Sequence, residues 1–441
     1  MRHGTQHFKV GCIIALLSIG TNVLAQQDSS AYQVNIGLHH MTHGEVRNGG
    51  LPKPQDPSVT VEDRANFILG RTRLSIDYQR KGIEAKAVAQ NLAIWGMRGS
   101  NSLDLHEAWV KLNSRNGLFA QIGRMALAYD DERILGPNDW AMAALSHDVL
   151  RLGYEGRGHK AHAVLAYNQN AENMDTGTFY EDGSQPYKTM QMIWYHYDVP
   201  KVPLGASLLF MNTGMQAGTK EKDPHTEWQQ LFGGYLSFRP KHFTLEGSYY
   251  KQTGKNENAI DIDTWMASIK ATVSPADNYG FVAGFDFLSG DDYVCVVTPG
   301  TIGLPFHEKI KGFSPIYGSH HQFYGVMDYF YQSAYIQGFT PGLQNAFLGM
   351  NYKPLKGLTL NATYHYMAVA TSLEKLDMTL GHVIDLEASY NITKDLSLSA
   401  GFSFMKGTET MNELKQGNGD SNVRWGWLSF VVSPLSLYSS K

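Results

Sequence analysis

Basic side chains recur at alternate positions of several short segments in the first third of the chain. In the segment 71–79, Arg71 and Arg73 alternate with Thr72 and Leu74. Because successive side chains of a β-strand point to opposite faces, both arginines lie on one face of the predicted strand. Guanidinium groups match carboxylates with two parallel hydrogen bonds, so the pattern indicates either recognition of an anionic solute or formation of ion pairs.

The same alternation assigns further charged residues to the polar face of their strands. The basic set on this face is Arg71, Arg73, Lys86, Lys111, Arg124, Arg151 and Lys160. The acidic set on this face is Asp77, Glu84 and Glu107. Two interpretations remain open: the bases line a pathway for an anion, or acids and bases form a lattice of ion pairs that stiffens the structure.

The catalytic motifs of soluble enzymes do not occur in the sequence. It contains no Gly-x-Ser-x-Gly elbow, no His-Glu-x-x-His pair and no phosphate-binding loop. His365 and His382 lie on predicted strands and could serve as the base of a barrel-embedded hydrolase, but no nucleophile can be assigned to either. We therefore predict no catalytic residue and keep a hydrolase as the less favoured alternative.

Two groups of potential metal ligands have simpler explanations. His39, His40 and His43 lie together, and the interpretation that we favour is a polar strand end beside a loop. Asp286, Asp291 and Asp292 could bind calcium, but their spacing differs from that of a calcium loop. We predict no metal site and no cofactor.

The first 25 residues have the organisation of a secretory signal peptide. Arg2 and Lys9 precede a short apolar run, and Val23 to Ala25 form a small-residue cleavage pattern. We expect residues 1–25 to be removed and residues 26–441 to form a single domain. Cys295 is then the only cysteine left, so no disulfide can form within the mature chain.

The composition favours a β-structure with many turns. Aromatic residues make up 12% of the chain, and it contains 44 glycines, which is typical of barrels with aromatic girdles. After the signal peptide no apolar run approaches the roughly 18–20 residues of a membrane helix. The formal net charge of −4 provides no basis for binding nucleic acid.

Segments with period-two alternation recur along the whole mature chain, and we count about 18 candidate strands. Short links such as 80–82, 114–117 and 239–242 follow every second strand, whereas longer links such as 129–146 follow most of the others. Short turns on one rim and long loops on the other predict a transmembrane antiparallel β-barrel, with periplasmic turns and extracellular loops. The longest connection, 289–342, could fold into the barrel as a plug or a constriction.

One stretch resembles a known family. Gly123 to Trp140 has the order Gly-Arg, apolar step, Tyr, acidic pair, Arg, Gly and Trp, which resembles the signature of the alginate-export porins. The segments 71–73, 107–110, 148–152 and 317–328 resemble other parts of the family. The resemblance implies an 18-stranded monomeric barrel whose arginine-containing pore passes an acidic polysaccharide. The matching positions are Arg71, Arg73, Arg124, Arg133, Arg151, Asp130 and Asp148.

Together, these observations predict a channel in the bacterial outer membrane, in contact with its lipid. We expect it to pass an anionic solute, for example an acidic polysaccharide or oligosaccharide such as alginate. The alternative is a non-selective structural porin in which the lumen charges are paired with one another.

Overall fold

In the computed structural model, described residues are 32–47, 65–99, 102–172, 174, 177–181, 183, 185–291, 295–298, 301–303, 309–330, 340–373, 376–415, 422–433 and 438–440. The predicted signal peptide, residues 1–25, lies outside these ranges.

Eighteen long strands form the wall. They are β1 (Gln33–Arg47), β2 (Ala65–Arg80), β3 (Ile83–Ile94), β4 (Ser102–Asn113), β5 (Leu118–Met125), β6 (His147–Gly156), β7 (His159–Tyr167), β8 (Thr189–Asp198), β9 (Leu204–Ala217), β10 (His225–Phe238), β11 (Phe243–Lys255), β12 (Asp261–Ala276), β13 (Tyr279–Leu288), β17 (Leu343–Leu355), β18 (Leu358–Ala368), β19 (Thr379–Asn391), β20 (Leu396–Gly407) and β21 (Asn422–Val432). The shorter elements are β14 (Cys295–Thr298), β15 (Thr301–Gly303), β16 (Lys309–Ile310), a 3-10 turn (His320–Gln322), helix α1 (Glu409–Lys415) and β22 (Tyr438–Ser440).

The long strands close into a barrel. Each pairs in antiparallel fashion with its neighbour in the chain, and β13 pairs directly with β17. The last long strand, β21, pairs with β1 from His40 opposite Val432 to Arg47 opposite Trp425. Among the described residues, both edges of the 18-stranded sheet are thereby paired with each other, as a sheet in lipid requires. The predicted antiparallel 18-stranded barrel is confirmed.

Alternation along the strands separates two faces. Ile76, Ile122 and Leu208 point outward and are 46%, 62% and 67% exposed, as expected of side chains that face lipid. Their sequence neighbours point into the lumen, where Gln121 and Leu209 are buried. No helix in the described ranges combines the length and the apolar character needed to span a membrane.

Two folded segments fill the lumen near the rim that carries the long loops. We call residues 126–146 and the described residues 309–330 the inner plug. Leu127, Leu135 and Tyr317 of this plug pack with lumen-facing side chains such as Met190 and Met405 in one buried apolar cluster. The burial of these large side chains holds both segments against the barrel wall. Within the predicted long connection, the stretch from Phe313 to Phe330 therefore lies inside the barrel.

Candidate functional site in the lumen

The two segments of the inner plug are joined through their backbones. The amide of Gly136 donates to the carbonyl of Tyr317 at 2.9 Å, and the amide of Tyr317 donates to Ile134 at 3.2 Å. Ser319 donates in the same way to Glu132 at 2.9 Å. The plug is consequently one hydrogen-bonded unit built from two distant parts of the chain.

Arg133 ties this unit to the barrel wall. Its guanidinium lies 3.1 Å from the carboxylate of Asp286 on β13 and 3.3 Å from that of Asp131. It donates to the Tyr324 hydroxyl at 2.9 Å and stacks 4.0 Å from the Phe323 ring centroid. Burial opposes the charge of Arg133, but the carboxylates of Asp286 and Asp131 and the hydrogen bond to the Tyr324 hydroxyl more than offset this, so the pKa of Arg133 is raised. An arginine held in this way is a structural anchor.

A chain of polar wall residues extends from this anchor across three strands. Asn345 of β17 donates to Asp286 at 2.9 Å and is hydrogen-bonded to His365 of β18 at 2.9 Å. His365 lies 3.4 Å from Asp385 of β19, and that carboxylate accepts the Val326 amide of the plug at 3.2 Å. The network therefore holds the plug at two points.

Arg71 and Arg73 anchor the first plug segment on another side of the lumen. Asp139 lies 3.3 Å from Arg71 and 2.6 Å from Arg73. Arg71 also donates to the Asp139 carbonyl, and Arg73 donates to Gln90 at 2.7 Å. Burial opposes ionisation of Asp139, but Arg71 and Arg73 lower its pKa. Arg71 is only 1% exposed. Arg71 and Arg73 therefore mainly hold the plug in place through Asp139 and have little contact with the aqueous space.

A different set of cations faces the lumen nearer the short turns. The Lys111 ammonium lies 4.5 Å, and the Arg151 guanidinium 5.7 Å, from the centroid of the Phe119 ring. Arg151 also hydrogen-bonds the side chain of Gln121. Within the described residues, neither cation forms an ion pair with a carboxylate. We call Lys111, Phe119, Gln121 and Arg151 the Phe119 cluster.

Two residues of β7, His162 and Lys160, border this cluster. The His162 ring packs edge-on against Phe119 with centroids 5.2 Å apart. Its second nitrogen lies 3.0 Å from Glu155, which is 47% exposed. Lys160 shares the lumen-facing parity of His162, and no carboxylate of the described residues forms an ion pair with it. Glu155 lies opposite Lys160 in the strand register and partly balances its charge, so the Phe119 cluster itself supplies the excess of positive charge on this wall.

The remaining predicted lumen charges on β2, β3 and β4 form local contacts. Lys86 and Glu107 lie 2.9 Å apart in an ion pair, and Glu84 accepts a hydrogen bond from Asn113 at 2.7 Å. Asp77 shares their face and lies opposite Lys86 in the strand register. This part of the wall is a mixture of opposite charges, as the ion-pair interpretation predicts.

Arg124 and Asp148 differ from the sequence-based assignment. They form a two-pronged ion pair with distances of 2.9 and 2.7 Å, but on the outer face of the barrel. Arg124 shares strand parity with the outward Ile122, while Met125 and Val149, which flank the pair, are buried in the lumen. The pair lies where β5 and β6 meet a long loop, so the side chains leave the apolar band, and the period-two pattern alone could not show this.

We expect Arg124→Gln to lower the free energy of unfolding by less than about 1 kcal/mol, because the ion pair is partly exposed and screened by solvent. Ion selectivity should not change, because the side chain lies outside the lumen. Urea titration of the folded barrel and planar-bilayer recordings would test both points. A changed ratio of anion to cation permeability would contradict the outward placement.

Asp130, the other acidic residue that the resemblance implicated, lies within the plug. Its carboxylate accepts hydrogen bonds from Trp194 at 3.1 Å and from Tyr250 at 3.4 Å. Burial raises its pKa. These contacts connect the plug to β8 and β11.

The histidines considered as metal ligands point in different directions. His40 faces outward and is hydrogen-bonded to Thr72 at 2.8 Å, whereas His39 and His43 face the lumen and His43 lies 3.2 Å from Glu45. In the part of the chain that the structure describes, no group of three or more His, Cys, Asp or Glu residues could hold a metal ion.

The acidic residues considered for calcium have separate structural contacts. Asp286 binds Arg133 as described above, and Asp291 accepts the amides of Lys311 and Gly312 at 2.9 and 3.0 Å. Asp292 lies outside the described residues. Asp286 thus connects the wall to the inner plug, and Asp291 joins two parts of the connection 289–342.

Several important side chains were not identified from the sequence. Trp140 stacks in parallel on His321 with ring centroids 4.0 Å apart, and its edge contacts Trp427 of β21. Phe119 and Asp139 were also missed. Phe119 and Asp139 had no feature in the sequence that distinguished them from other strand or loop residues. Trp140 was the final residue of the stretch that resembles the family signature, and this was the only indication of its importance.

Comparisons with known proteins agree with this architecture. A search of curated protein sequences found no match. Among solved structures, the chain is similar to OpdQ of Pseudomonas aeruginosa, with a TM-score of 0.58, 13% identity, and coverage of 92% of this chain and 98% of that one. It is also similar to OccAB1 of Acinetobacter baumannii, with a TM-score of 0.59, 12% identity, and coverage of 92% and 97%. OccK2 of Pseudomonas aeruginosa, solved in complex with glucuronate, has a TM-score of 0.57, 13% identity, and coverage of 92% and 98%.

These structural similarities establish the fold, whereas a match to a family model establishes the family to which the chain belongs. The profile described as alginate export matches residues 90–377, which is more than half of the 441 residues. The matched region includes the plug segments, the Phe119 cluster and the Arg133 anchor. The resemblance seen in the sequence is confirmed. The chain belongs to the alginate export family and is an outer-membrane, porin-like β-barrel channel.

Proposed function

We propose that this protein is a passive, monomeric channel for a small anionic solute of the uronate or acidic oligosaccharide type. The observation that carries the proposal is the Phe119 cluster, in which Lys111 and Arg151 flank one aromatic ring and face the lumen without a carboxylate partner among the described residues. Cations beside a low-dielectric ring attract a carboxylate strongly. The proposal includes no catalytic role for any residue.

Three further features support the proposal. Lys160 lies on the neighbouring lumen-facing wall and adds positive charge. A protein of similar fold, OccK2, was solved in complex with glucuronate. The inner plug occupies the lumen near the long loops, which favours small solutes over an extended polymer.

The proposal predicts that the double change Lys111→Gln and Arg151→Gln weakens anion preference. We expect the permeability ratio of chloride to potassium to fall roughly fivefold, since a nearby unit charge alters the energy of an ion by about 1 kcal/mol even in water. Planar-bilayer reversal potentials in a salt gradient measure this ratio. Block of the current by glucuronate should weaken in parallel, while glucose should have no effect on either protein.

The matched control carries the same loss of charge away from the lumen. Arg124→Gln on the outer face and Arg115→Gln in an exposed short turn remove two positive charges together. This control should keep the ratio of the unchanged protein. Equal loss of preference in both doubles, or a ratio unaffected by the Lys111 and Arg151 changes, would refute the proposal.

A non-selective porin is the second candidate, and one group of contacts favours it. Glu246 lies 2.8 Å from Lys270 and 3.0 Å from Arg239, and Lys86 pairs with Glu107. Such pairs neutralise much of the lumen locally. If the protein is a non-selective porin, the reversal potential of the unchanged protein in a salt gradient lies near zero.

A further inference from the structure

A polar cavity of about 410 Å³ lies in the inner wall of the barrel, at the rim with the short turns. This volume is in the range of small-molecule sites. The cavity is formed by β11, β12, β13 and β17 and by the turns 239–242 and 277–278, so β7 to β10 separate it from the Phe119 cluster. We call it the turn-rim cavity, and its polar lining includes His242, Thr272, Ser274, Asp277, Asn351 and Lys353.

Irregular strand pairing creates room for the turn-rim cavity. The register between β12 and β13 shifts between Val273 and Ala276, and the register between β17 and β18 shifts in the last residues of β17. Bulges of this kind bend a strand and redirect its side chains. Gly280 of β13 adds space, because an added Cβ atom would lie only 3.0 Å from the Ser274 hydroxyl oxygen. The missing side chain therefore leaves room for that hydroxyl at the cavity wall.

His242 is fixed at the edge of the cavity by two hydrogen bonds to one residue. Its carbonyl accepts the Ser274 amide at 2.8 Å, and its ring Nδ1 lies 2.9 Å from the Ser274 carbonyl oxygen. Because a carbonyl oxygen only accepts, Nδ1 carries the proton, and Nε2 of the neutral ring is left as an acceptor. Such an acceptor is suited to a hydroxyl donor.

The other acceptor at this wall is an amide oxygen. The Asn351 side chain donates from Nδ2 to the oxygen of Asn361 at 2.6 Å. Its own Oδ1 therefore remains available to accept a hydrogen bond. The lining thus offers fixed acceptors together with the hydroxyls of Thr272 and Ser274, which can donate or accept.

The turn-rim cavity also contains a cation and a carboxylate that are not paired with each other. Lys353 and Asp277 both line it, and within the described residues neither forms an ion pair. A ligand that carries an acid group and several hydroxyls would satisfy both side chains at once: Lys353 donates to the acid group, and Asp277 accepts from a hydroxyl.

The charges around the cavity do not make this region uniformly basic. Glu246 beside it is shared by Lys270 and Arg239. Lys241 lies in the adjoining turn, and Glu387 lies two strands away in the register of Asn351. General attraction of anions therefore does not select the ligand, and the separate contacts within the cavity do.

We propose that the turn-rim cavity binds one ring of a sugar acid, so that the solute passes a second binding site in the lumen. The ligand class rests on the proposed function. Lys353 contacts the carboxylate, and Asp277, His242 Nε2 and Asn351 Oδ1 accept hydrogen bonds from ring hydroxyls. A simple anion would satisfy Lys353 alone and leave the acceptors unused.

Saturation-transfer NMR of the full barrel in neutral detergent tests this proposal. The probes are glucuronate, glucose, which lacks the carboxylate, and acetate, which lacks the ring. The background carries Lys111→Gln and Arg151→Gln, so that the cations of the Phe119 cluster are absent. In this background we expect glucuronate to bind at least about tenfold more tightly than glucose or acetate, because only glucuronate engages both the cation and the acceptors.

Two further changes in this background probe the cavity itself. Lys353→Gln should weaken glucuronate binding about fivefold, because the unit charge in contact with the carboxylate is lost. Thr272→Phe should abolish binding by filling the cavity, and Lys353→Arg should retain it. Migration of the unboiled protein on gels verifies that each variant is a folded barrel.

Lys356→Gln is the matched control, because it removes the same charge from an exposed turn of the same rim outside the cavity lining. It should bind glucuronate as the background protein does. The proposal fails if the background protein does not bind glucuronate, if acetate or glucose binds equally well, if Lys353→Gln has no effect, or if Lys356→Gln causes the same loss. Failure of the proposed function is a separate result, since it is measured by the chloride preference of the Lys111 and Arg151 double variant.

Discussion

Replacement of Arg133 by Met is expected to release the inner plug from β13 and to raise single-channel conductance. The change leaves the Asp286 carboxylate buried without its cation, and breaking a buried ion pair from one side costs about 3–5 kcal/mol. The Tyr324 hydroxyl loses its donor as well. Because the barrel strands keep their hydrogen bonds, the loss should appear as movement of the plug while the wall remains folded.

Planar-bilayer recordings and urea titration measure the two effects. Arg115→Met, in an exposed short turn, is the matched control and should leave both conductance and stability unchanged. The double variant Arg133→Met with Asp286→Asn should lose less stability than the sum of the single changes, because the pair is coupled. A conductance equal to that of the unchanged protein, in a folded Arg133→Met barrel, would show that the plug has other sufficient anchors.

Gly318→Val is expected to separate the two halves of the plug. A Cβ atom at position 318 would lie 2.8 Å from the carbonyl oxygen of Glu132 and would also collide with that of Arg133. Both neighbours are backbone atoms of the first segment, so neither can rotate away. The backbone hydrogen bonds that join Gly136 to Tyr317 and Ser319 to Glu132 would have to lengthen. Overpacking of this kind costs about 1–3 kcal/mol, and more where backbone must move.

The expected readouts are increased conductance and faster proteolytic cleavage within residues 309–330 of the folded barrel. Gly426→Ala provides the control, since the nearest atoms to its added Cβ lie 3.8 and 3.9 Å away. That variant should behave as the unchanged protein. If Gly318→Val conducts and resists protease as the control does, the two plug segments do not depend on each other.

The two predictions share one physical basis. The plug is attached by buried charge pairs and backbone contacts between segments nearly two hundred residues apart, such as Arg133 and Tyr324. Such contacts are strong only while water is excluded from them. Loss of one anchor should therefore admit water and weaken the others.

The alternation of apolar and polar residues, together with the alternation of short and long links, predicted the barrel from the sequence alone. Each strand has one face toward lipid and one toward the lumen, so apolar and polar residues alternate in every strand segment. The short links on one rim indicate that successive strands are antiparallel. The alternating segment 343–353, for example, corresponds to β17, which continues to Leu355 in the structure. Lumen-facing positions such as Arg71, Lys111 and Arg151 followed from the same period.

Only the tertiary structure decided what each charged side chain contacts. Arg133 lies in a loop with no period, and its partner Asp286 is far away in the sequence, so no local pattern could join them. Arg124 obeys strand alternation but faces outward, because the correct phase is fixed by the lumen packing of Met125 and Val149. Strand formation depends on the local order of residues, so it could be predicted from the sequence. The burial and the partners of the charged side chains depend on closure of the whole barrel around the plug, so they could not.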